Sequence, residues 1–168
     1  MFLLSTPLRR TVAATAALAS VPLLLLAGHQ STATGAADAT AFTLRSVSAG
    51  FKLIDMPPVA EGQASRPSPG DYVVLRNRLL RGRERVGALH ATCVVTSRGT
   101  RPQVAPLLCT GVYRLRAGTL SGTALLSTES VVNRIAITGG TGRFAGMTGT
   151  ATEFLGRNDT GTVVFRIQ

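Results

Sequence analysis

Hydrophobic and polar residues alternate in short runs along most of this 168-residue chain. From residue 41 onward, no long window repeats its apolar residues at the spacing of an amphipathic helix. Short runs rich in Val, Ile, Thr and Leu recur instead, and Gly, Asn, Asp or Pro bounds them. Eight such runs predict eight β-strands: Phe42–Ala49, Asp71–Leu80, Arg85–Thr96, Val104–Leu115, Thr119–Leu126, Val131–Thr138, Thr150–Leu155 and Thr162–Ile167.

Most of the predicted strands are joined by short connections. The segment 55–70 is an exception, because its four prolines lack the backbone donors that a strand needs. Consecutive strands with short connections favour an up-and-down antiparallel sheet. Eight strands are enough to close a barrel whose interior holds side chains or one small ligand. The predicted fold class is therefore all-β, an eight-stranded antiparallel up-and-down barrel.

Alternation within each run assigns one face to the barrel interior and the other to solvent. Tyr113 shares the apolar face of its run, opposite Arg114. By the same alternation, Asn77 and Asn133 fall on the apolar faces of their runs. Glu153 shares a face with alanine and opposes phenylalanine, so its inner or outer position is ambiguous from the pattern alone.

The first 41 residues have the layout of a secretory signal peptide. Arg9 and Arg10 precede an apolar or small stretch, 12–27, and a polar, Ala-rich stretch follows at 31–41. The apolar run is shorter than the ~20 residues that a bilayer span needs, and Pro22 interrupts it. A retained membrane anchor is the alternative interpretation.

This layout predicts two parts of the chain. Residues 1–39 form a signal peptide that is removed, with cleavage after Ala36, Ala39 or Ala41, and residues 40–168 form the barrel domain. The mature protein is then expected to be secreted or extracytoplasmic, with no stable membrane span after processing.

Both cysteines, Cys93 and Cys109, lie in the mature part. Outside the cytoplasm an even pair usually forms a disulfide, and two paired strands with a loop would fill the span between them. A metal site is not expected, because only one histidine, His90, lies beyond the signal peptide and no zinc-ligand spacing is present.

The formal net charge of +10 comes almost entirely from arginine, and five arginines crowd positions 76–85. Nucleic-acid binding would call for interleaved aromatic residues, but the chain has no Trp and few aromatics near this cluster. A solvated barrel exterior is therefore favoured over an acidic surface partner, and nucleic acid is not expected as a partner.

The glycine-rich segment 137–149 first suggests a dinucleotide-binding loop, because Gly140-Thr141-Gly142 follows an apolar strand. Such a loop must open a helix whose N-terminus faces the pyrophosphate. Here Met147–Leu155 is rich in Thr and Gly and resembles a strand, and only 22 residues follow Gly146. The nucleotide interpretation is therefore rejected, and a structural role for the glycines at a barrel corner is favoured.

The same segment carries a resemblance to a known family. Gly139-Gly140-Thr141-Gly142-Arg143-Phe144, followed by Gly146 and Gly149, resembles the Gly-Gly-x-Gly-x-Phe connection of the allene oxide cyclase and dirigent barrels. Gly70-Asp71 at the start of the second run is similar to a Gly-Asp pair at the same place in these families. The two cysteines resemble those of a secreted bacterial branch of the same families. The resemblance covers residues 42–167. It implies an eight-stranded barrel, no metal or organic cofactor, an apolar reactive molecule held inside, and a homo-oligomer.

The candidate catalytic residues are polar side chains near the predicted barrel lining: Asp71, Asn77, Tyr113, Asn133 and Glu153. The asparagines and the tyrosine could donate hydrogen bonds, and the carboxyls could act as acid, base or charge stabiliser. Each has a structural alternative. Asp71 would cap the turn at Gly70, the asparagines would satisfy buried backbone, Tyr113 would belong to the core, and His90 is expected at the surface.

Three functions follow from this fold. The first is an enzyme, a cofactor-free cyclase or isomerase acting on an apolar polyketide- or lipid-derived intermediate. The second is a secreted barrel that binds a small apolar ligand without turnover. The third is a structural or interaction protein with a filled core. The volume of the internal cavity separates the third from the others.

Overall fold

The computed structural model describes residues 39–56, 67–98 and 104–168. Eight antiparallel strands follow one another in sequence order around a closed barrel, with the last paired to the first. The strands are β1 (Thr40–Ile54), β2 (Tyr72–Arg81), β3 (Glu84–Val95), β4 (Pro106–Leu115), β5 (Gly118–Ser127), β6 (Val132–Gly140), β7 (Gly149–Leu155) and β8 (Thr160–Ile167). Within these ranges the only helical segment is a 3-10 turn, Gly142–Phe144. The predicted fold class is confirmed.

The first strand is longer than its sequence pattern predicts. The predicted strand ends at Ala49, whereas β1 continues to Ile54. The register of β1 against β2 shifts between Ser48 and Gly50, so a bulge interrupts the alternation without ending the pairing. The other predicted boundaries lie within two residues of the strand ends.

The barrel has two dissimilar ends. The β2–β3, β4–β5 and β6–β7 connections lie at one end, together with the paired residues Thr40 and Ile167, and we call this the turn end. The other four connections lie at the opposite end, which we call the loop end. The long β1–β2 connection belongs to the loop end.

Alternation along the strands places apolar side chains inside the barrel and arginines outside. Leu44, Leu79, Leu120 and Phe165 are fully or almost fully buried and belong to one core cluster. The predicted solvent-facing arginines are all exposed: Arg76, Arg78, Arg81, Arg83, Arg85, Arg114, Arg116, Arg134 and Arg166. His90 is exposed, as expected. The sequence pattern therefore separates lining from exterior correctly.

Cys93 on β3 and Cys109 on β4 lie directly opposite each other and form the predicted disulfide. Both are buried in a second apolar cluster, with Val73, Val95 and Leu107. The bond ties two neighbouring strands together and is compatible with an extracytoplasmic location.

The predicted signal peptide lies outside the described residues, apart from its last position. In the described ranges, no helix has the length and apolar character needed to cross a membrane.

Candidate functional site

The glycine-rich connection between β6 and β7 forms one wall of the turn end. It folds back onto the β4–β5 turn, where the backbone N–H of Arg143 donates to the carbonyl of Ala117 at 2.8 Å. The Thr141 N–H donates to the Thr119 carbonyl at 2.9 Å, and the two threonine hydroxyls lie 2.7 Å apart. These contacts hold the 3-10 turn, and with it the backbone of Arg143 and Phe144, at the mouth of the barrel.

Two glycines of the motif make this approach possible. Gly142 has a φ of +62°, a conformation that side-chain-bearing residues rarely adopt, and a Cβ there would collide with the Ala117 carbonyl. A Cβ on Gly140 would meet the carbonyls of Thr119 and Phe144. No helix follows the motif, because β7 begins at Gly149. The close backbone approach supports the structural interpretation of the glycines, and the prediction that a strand follows the motif is confirmed.

An open pocket of about 350 Å3 lies at the turn end. We call it the mouth pocket. Its apolar lining comes from β1, β3, β4 and the 3-10 turn: Phe42, Leu44, Val86, Leu115 and Phe144. Charged side chains also line it: Arg81, Glu84, Arg116 and Arg143. The pocket is therefore apolar with an arginine-rich rim, and its size lies at the lower end of the roughly 300–1,000 Å3 typical of small-molecule sites.

Aromatic rings lead from the mouth pocket into the barrel. The ring of Phe42 stacks on Phe144 with a centroid distance of 6.2 Å and on Phe165 at 4.6 Å. Phe165 in turn meets Tyr113 edge-on at 4.9 Å. Tyr113 lines a second cavity deeper in the barrel. The Phe165 ring thus connects one ring that lines the mouth with another that lines the interior.

The deeper cavity, which we call the inner chamber, has a volume of only about 50 Å3. Its wall is mainly apolar and includes Leu89, Ile135 and both disulfide cysteines, with Tyr113 and Glu153 as polar members. A chamber of this size has room for a few water molecules or one reacting group of a larger molecule. Large buried side chains of the core cluster, among them Leu44, Leu120 and Phe165, also occupy the barrel interior.

Polar side chains from four strands meet beside the chamber. Asn77 donates through Nδ2 to the Ser46 hydroxyl at 2.9 Å, and both Ser46 and Asn133 hydrogen-bond the Glu153 carboxyl. Asn133 and Glu153 are cross-strand neighbours on β6 and β7, with only 7% and 8% of their surfaces exposed. Among the described residues, Asn133 Oδ1 and Glu153 Oε1 are buried acceptors without a hydrogen-bond donor. Natural barrels pair most such atoms, so this cluster has capacity for a further donor.

Burial changes the acid–base properties of the cluster. Desolvation raises the pKa of the Glu153 carboxyl above its ordinary value, and hydrogen bonds from Asn133 and Ser46 offset only part of that effect. The pKa of the Tyr113 hydroxyl is also raised, first by burial and second by the nearby Glu153 charge. Glu153 therefore keeps its proton at a pH at which an exposed glutamate is ionised, and it can then donate a hydrogen bond.

Asp71 has a different environment. Its side chain accepts hydrogen bonds from the Met56 N–H at 2.9 Å and from the N–H and hydroxyl of Ser68 at 2.6 and 3.1 Å. Burial raises the pKa of Asp71, but these hydrogen bonds outweigh it and the net shift is downward. Asp71 thus ties the ends of the β1–β2 connection together at the loop end, as its structural alternative predicts.

The structure brings four of the five candidate residues to the barrel interior and leaves Asp71 at the loop end. Ser46 is not among the predicted site residues, although it alternates with Phe42 and Leu44 on the inner face of β1. The mouth pocket is not predicted either, because strand patterns do not show which connections fold over a barrel end. In the described ranges no group of His, Cys, Asp or Glu is arranged to hold a metal ion.

No family model and no curated protein matches the chain. Solved structures are similar to it. A pyocyanin demethylase superposes with a TM-score of 0.64 at 20% identity, covering 77% of this chain and all of that one. The Diels-Alderase AbmU from Streptomyces koyangensis gives 0.55 at 15% identity, with 80% and 70% covered.

A pterocarpan synthase dirigent protein gives a TM-score of 0.51 at 19% identity, with 77% of this chain and 82% of that one covered. At these identities the likeness concerns the fold. The chain therefore has the barrel fold of the dirigent proteins and of the Diels-Alderase and cyclase barrels, as the glycine motif led us to expect.

Proposed function

We propose that the protein is an enzyme that holds a small, largely apolar reactive molecule in its barrel and directs the stereoselective cyclisation of that molecule. One observation carries the proposal. Glu153 is a buried carboxyl with a raised pKa and an unpaired oxygen, and it faces an internal chamber beside Tyr113. Buried acids of this kind are concentrated at functional sites.

The arrangement supports catalysis by confinement and hydrogen bonding. An apolar pocket selects one folded conformer of a flexible molecule, which lowers the entropic part of the cyclisation barrier. Protonated Glu153 then donates to a carbonyl oxygen on which negative charge builds up during ring closure. Ser46 and Asn133 position the carboxyl, and Tyr113 supplies a second donor. In a cycloaddition no atom leaves, so two new carbon–carbon bonds form at the expense of two π bonds.

The volumes of the two cavities indicate which part of the substrate each of them would hold. The inner chamber, at about 50 Å3, is too small for a whole natural-product intermediate, whereas the mouth pocket holds about 350 Å3. The body of the substrate would therefore occupy the mouth pocket. Its reactive end would reach Tyr113 and Glu153 by displacing the rings of Phe42 and Phe165.

Neighbours with the same fold support this function. They include the Diels-Alderase AbmU and a nonspecific heme-binding cyclase that catalyses a [4 + 2] cycloaddition. The pyocyanin demethylase carries out a different reaction on the same fold. The choice of cyclisation for this chain therefore rests on the buried acid and on the resemblance of the glycine motif, in addition to the fold.

A linear trienone, in which a short chain joins a conjugated diene to an enone, tests the proposal. It cyclises slowly without a catalyst, and the stereoisomers of its product can be separated. The wild-type protein should change the isomer ratio and accelerate the reaction. Glu153→Gln should lose about tenfold or more in rate, whereas Asp159→Asn, an exposed control, should behave as wild type. Isomer ratios equal to those in buffer, for this substrate and longer homologues, would end the cyclase proposal.

A second candidate function is binding of a small apolar ligand without turnover. The mouth pocket favours it, because its apolar lining can hold a ligand that does not reach Glu153 in the deeper chamber. In that case a ligand would stay in the mouth pocket and Glu153→Gln would not change any reaction rate.

The proposal also covers where the protein acts, whether it needs a cofactor and whether it assembles with copies of itself. We propose an exported protein whose disulfide forms outside the cytoplasm, acting without a metal or organic cofactor and without nucleic acid. A homo-oligomer remains a prediction. An exposed apolar row on the outer face, Ile54, Tyr72, Leu108 and Leu125, provides surface for it.

A further inference from the structure

The charged residues at the rim of the mouth pocket are unbalanced. Three arginines line it: Arg81 at the end of β2, Arg116 after β4 and Arg143 in the 3-10 turn. Among the described residues that line the pocket, Glu84 is the only acid, and its carboxylate pairs with Arg116 at 2.6 Å. Within the described ranges, Arg81 and Arg143 have no acidic partner. Arg81 lies opposite Glu84 in the pairing of β2 with β3, but the Glu84 carboxylate forms its ion pair with Arg116. In the described part of the chain, Arg81 and Arg143 thus stand at the opening of an apolar pocket without an ion pair of their own.

Hydrogen bonds hold the backbone around Arg143 in place, which keeps the base of its exposed side chain beside the pocket. Its own N–H bonds to the Ala117 carbonyl, and the neighbouring Thr141 is tied to Thr119 by three hydrogen bonds. The next residue, Phe144, is buried and contributes its ring to the pocket lining. The 3-10 turn therefore presents a cation and an aromatic ring to the same cavity.

We propose that the mouth pocket binds an apolar molecule that carries one anionic group, a carboxylate or a sulfonate. The apolar body lies against Phe42, Leu115 and Phe144, and the anion pairs with Arg81 and Arg143. This inference rests on the proposed function and narrows its substrate class to apolar acids.

The chemistry of the pocket supports this class over others. A guanidinium offers paired N–H donors that match the two oxygens of a carboxylate, and such charge-assisted bonds are stronger than neutral ones. The apolar lining disfavours small hydrophilic anions and polyphosphates, because burying their extra charges or hydroxyls there would leave those groups without partners. An apolar acid satisfies both parts of the site at once.

Two fluorescent probes that differ only in the anionic group test the inference. Anilinonaphthalene sulfonate and N-phenyl-naphthylamine share the same phenyl-naphthylamine skeleton. The first carries an anionic sulfonate, and the second is uncharged. Both become fluorescent in apolar surroundings, so their dissociation constants can be measured by titration at low salt. We expect the wild-type protein to bind the sulfonate about tenfold or more tightly than the neutral probe.

Matched variants locate the preference. In Arg81→Gln/Arg143→Gln the sulfonate should lose its advantage, while the affinity for the neutral probe stays within about twofold of wild type. The control, Arg134→Gln/Arg166→Gln, removes two exposed arginines from the outer faces of β6 and β8 and gives the same change in net charge. It should keep the wild-type preference.

The outcomes separate this inference from the proposed function. Equal affinities of the two probes for the wild type would overturn the anion site, while binding of the neutral probe would leave the apolar pocket intact. The anion site would also be overturned if both double variants lost the preference for the sulfonate equally, or if Arg81→Gln/Arg143→Gln kept it. Either result would assign the preference to general surface charge. If neither probe binds, the mouth pocket fails as a ligand site, and the proposed function fails with it.

Discussion

Glu153 and Asp71 are both buried carboxyls, and their surroundings give them opposite properties. Asp71 accepts backbone and hydroxyl hydrogen bonds, and its pKa is lowered from its ordinary value of 3.8. It therefore stabilises the ionised, folded protein above that pH, and this contribution is lost as the pH falls through the folded pKa. Glu153 lacks a donor for one oxygen, and its pKa is raised. One carboxyl serves the structure, and the other is available for chemistry.

The raised pKa of Glu153 predicts how stability depends on pH. The folded protein binds this proton more tightly than the unfolded chain, so its contribution to stability falls as the pH rises from 4.5 through the folded pKa. Glu153→Gln removes this ionisation. The variant should therefore be more stable than wild type at mildly alkaline pH, by about 1 kcal/mol, since a buried charge is no longer formed.

Urea unfolding at several pH values checks this prediction. The difference in free energy of unfolding between Glu153→Gln and wild type should grow as the pH rises and then level off. Asp159→Asn, which changes an exposed carboxyl in the β7–β8 turn, should show no such trend. A difference that is constant with pH would mean that the Glu153 carboxyl has an ordinary pKa.

At the scale of elements, the β6–β7 connection determines the shape of the turn end. Its hydrogen bonds to the β4–β5 turn position both Phe144 and Arg143. Such contact between two connections needs residues without a Cβ where the backbones approach. The sequence motif was informative because glycine is required at those points and not merely tolerated.

Three glycines at the end of β6 and in this connection give a matched comparison. Gly140→Ala and Gly142→Ala place a Cβ against backbone carbonyls and should each cost about 1–3 kcal/mol of stability. Gly139→Ala has open space around its Cβ and should cost much less. Thermal unfolding measures the stabilities, and neutral-probe titration reports whether the mouth pocket persists. Similar losses at all three positions would show that close approach does not explain the motif.

At the scale of the whole molecule, local patterns predict the barrel well. Alternation of apolar and polar residues shows which side of each strand faces the core. Short connections predict the strand order, because strands that follow one another in the chain pair with each other. The bulge after Ser48 escaped prediction, since its effect depends on pairing with β2. The inner cluster was found only in part. The inward positions of Asn77 and Asn133 follow from alternation, whereas alternation left the side of Glu153 open. The meeting of all three with Ser46 depends on how the closed sheet is staggered.

The mouth pocket lies beyond what such patterns predict. Phe42, Arg81 and Phe144 come from three distant parts of the chain, and only closure of the barrel brings them to one opening. Tyr113 on β4 and Glu153 on β7 likewise meet around one internal chamber. The functional interpretation thus depends on three-dimensional adjacency, even though each residue type carries its own chemical meaning.

The most direct test of the account is to locate a bound apolar molecule. NMR contacts between the protons of N-phenyl-naphthylamine and those of the isotope-labelled protein would do this in solution. We predict contacts to the rings of Phe42 and Phe144 and to the methyl groups of Leu115. Contacts confined to the exposed outer row of Ile54, Tyr72, Leu108 and Leu125 would contradict the claim that this barrel takes its ligand through the turn end.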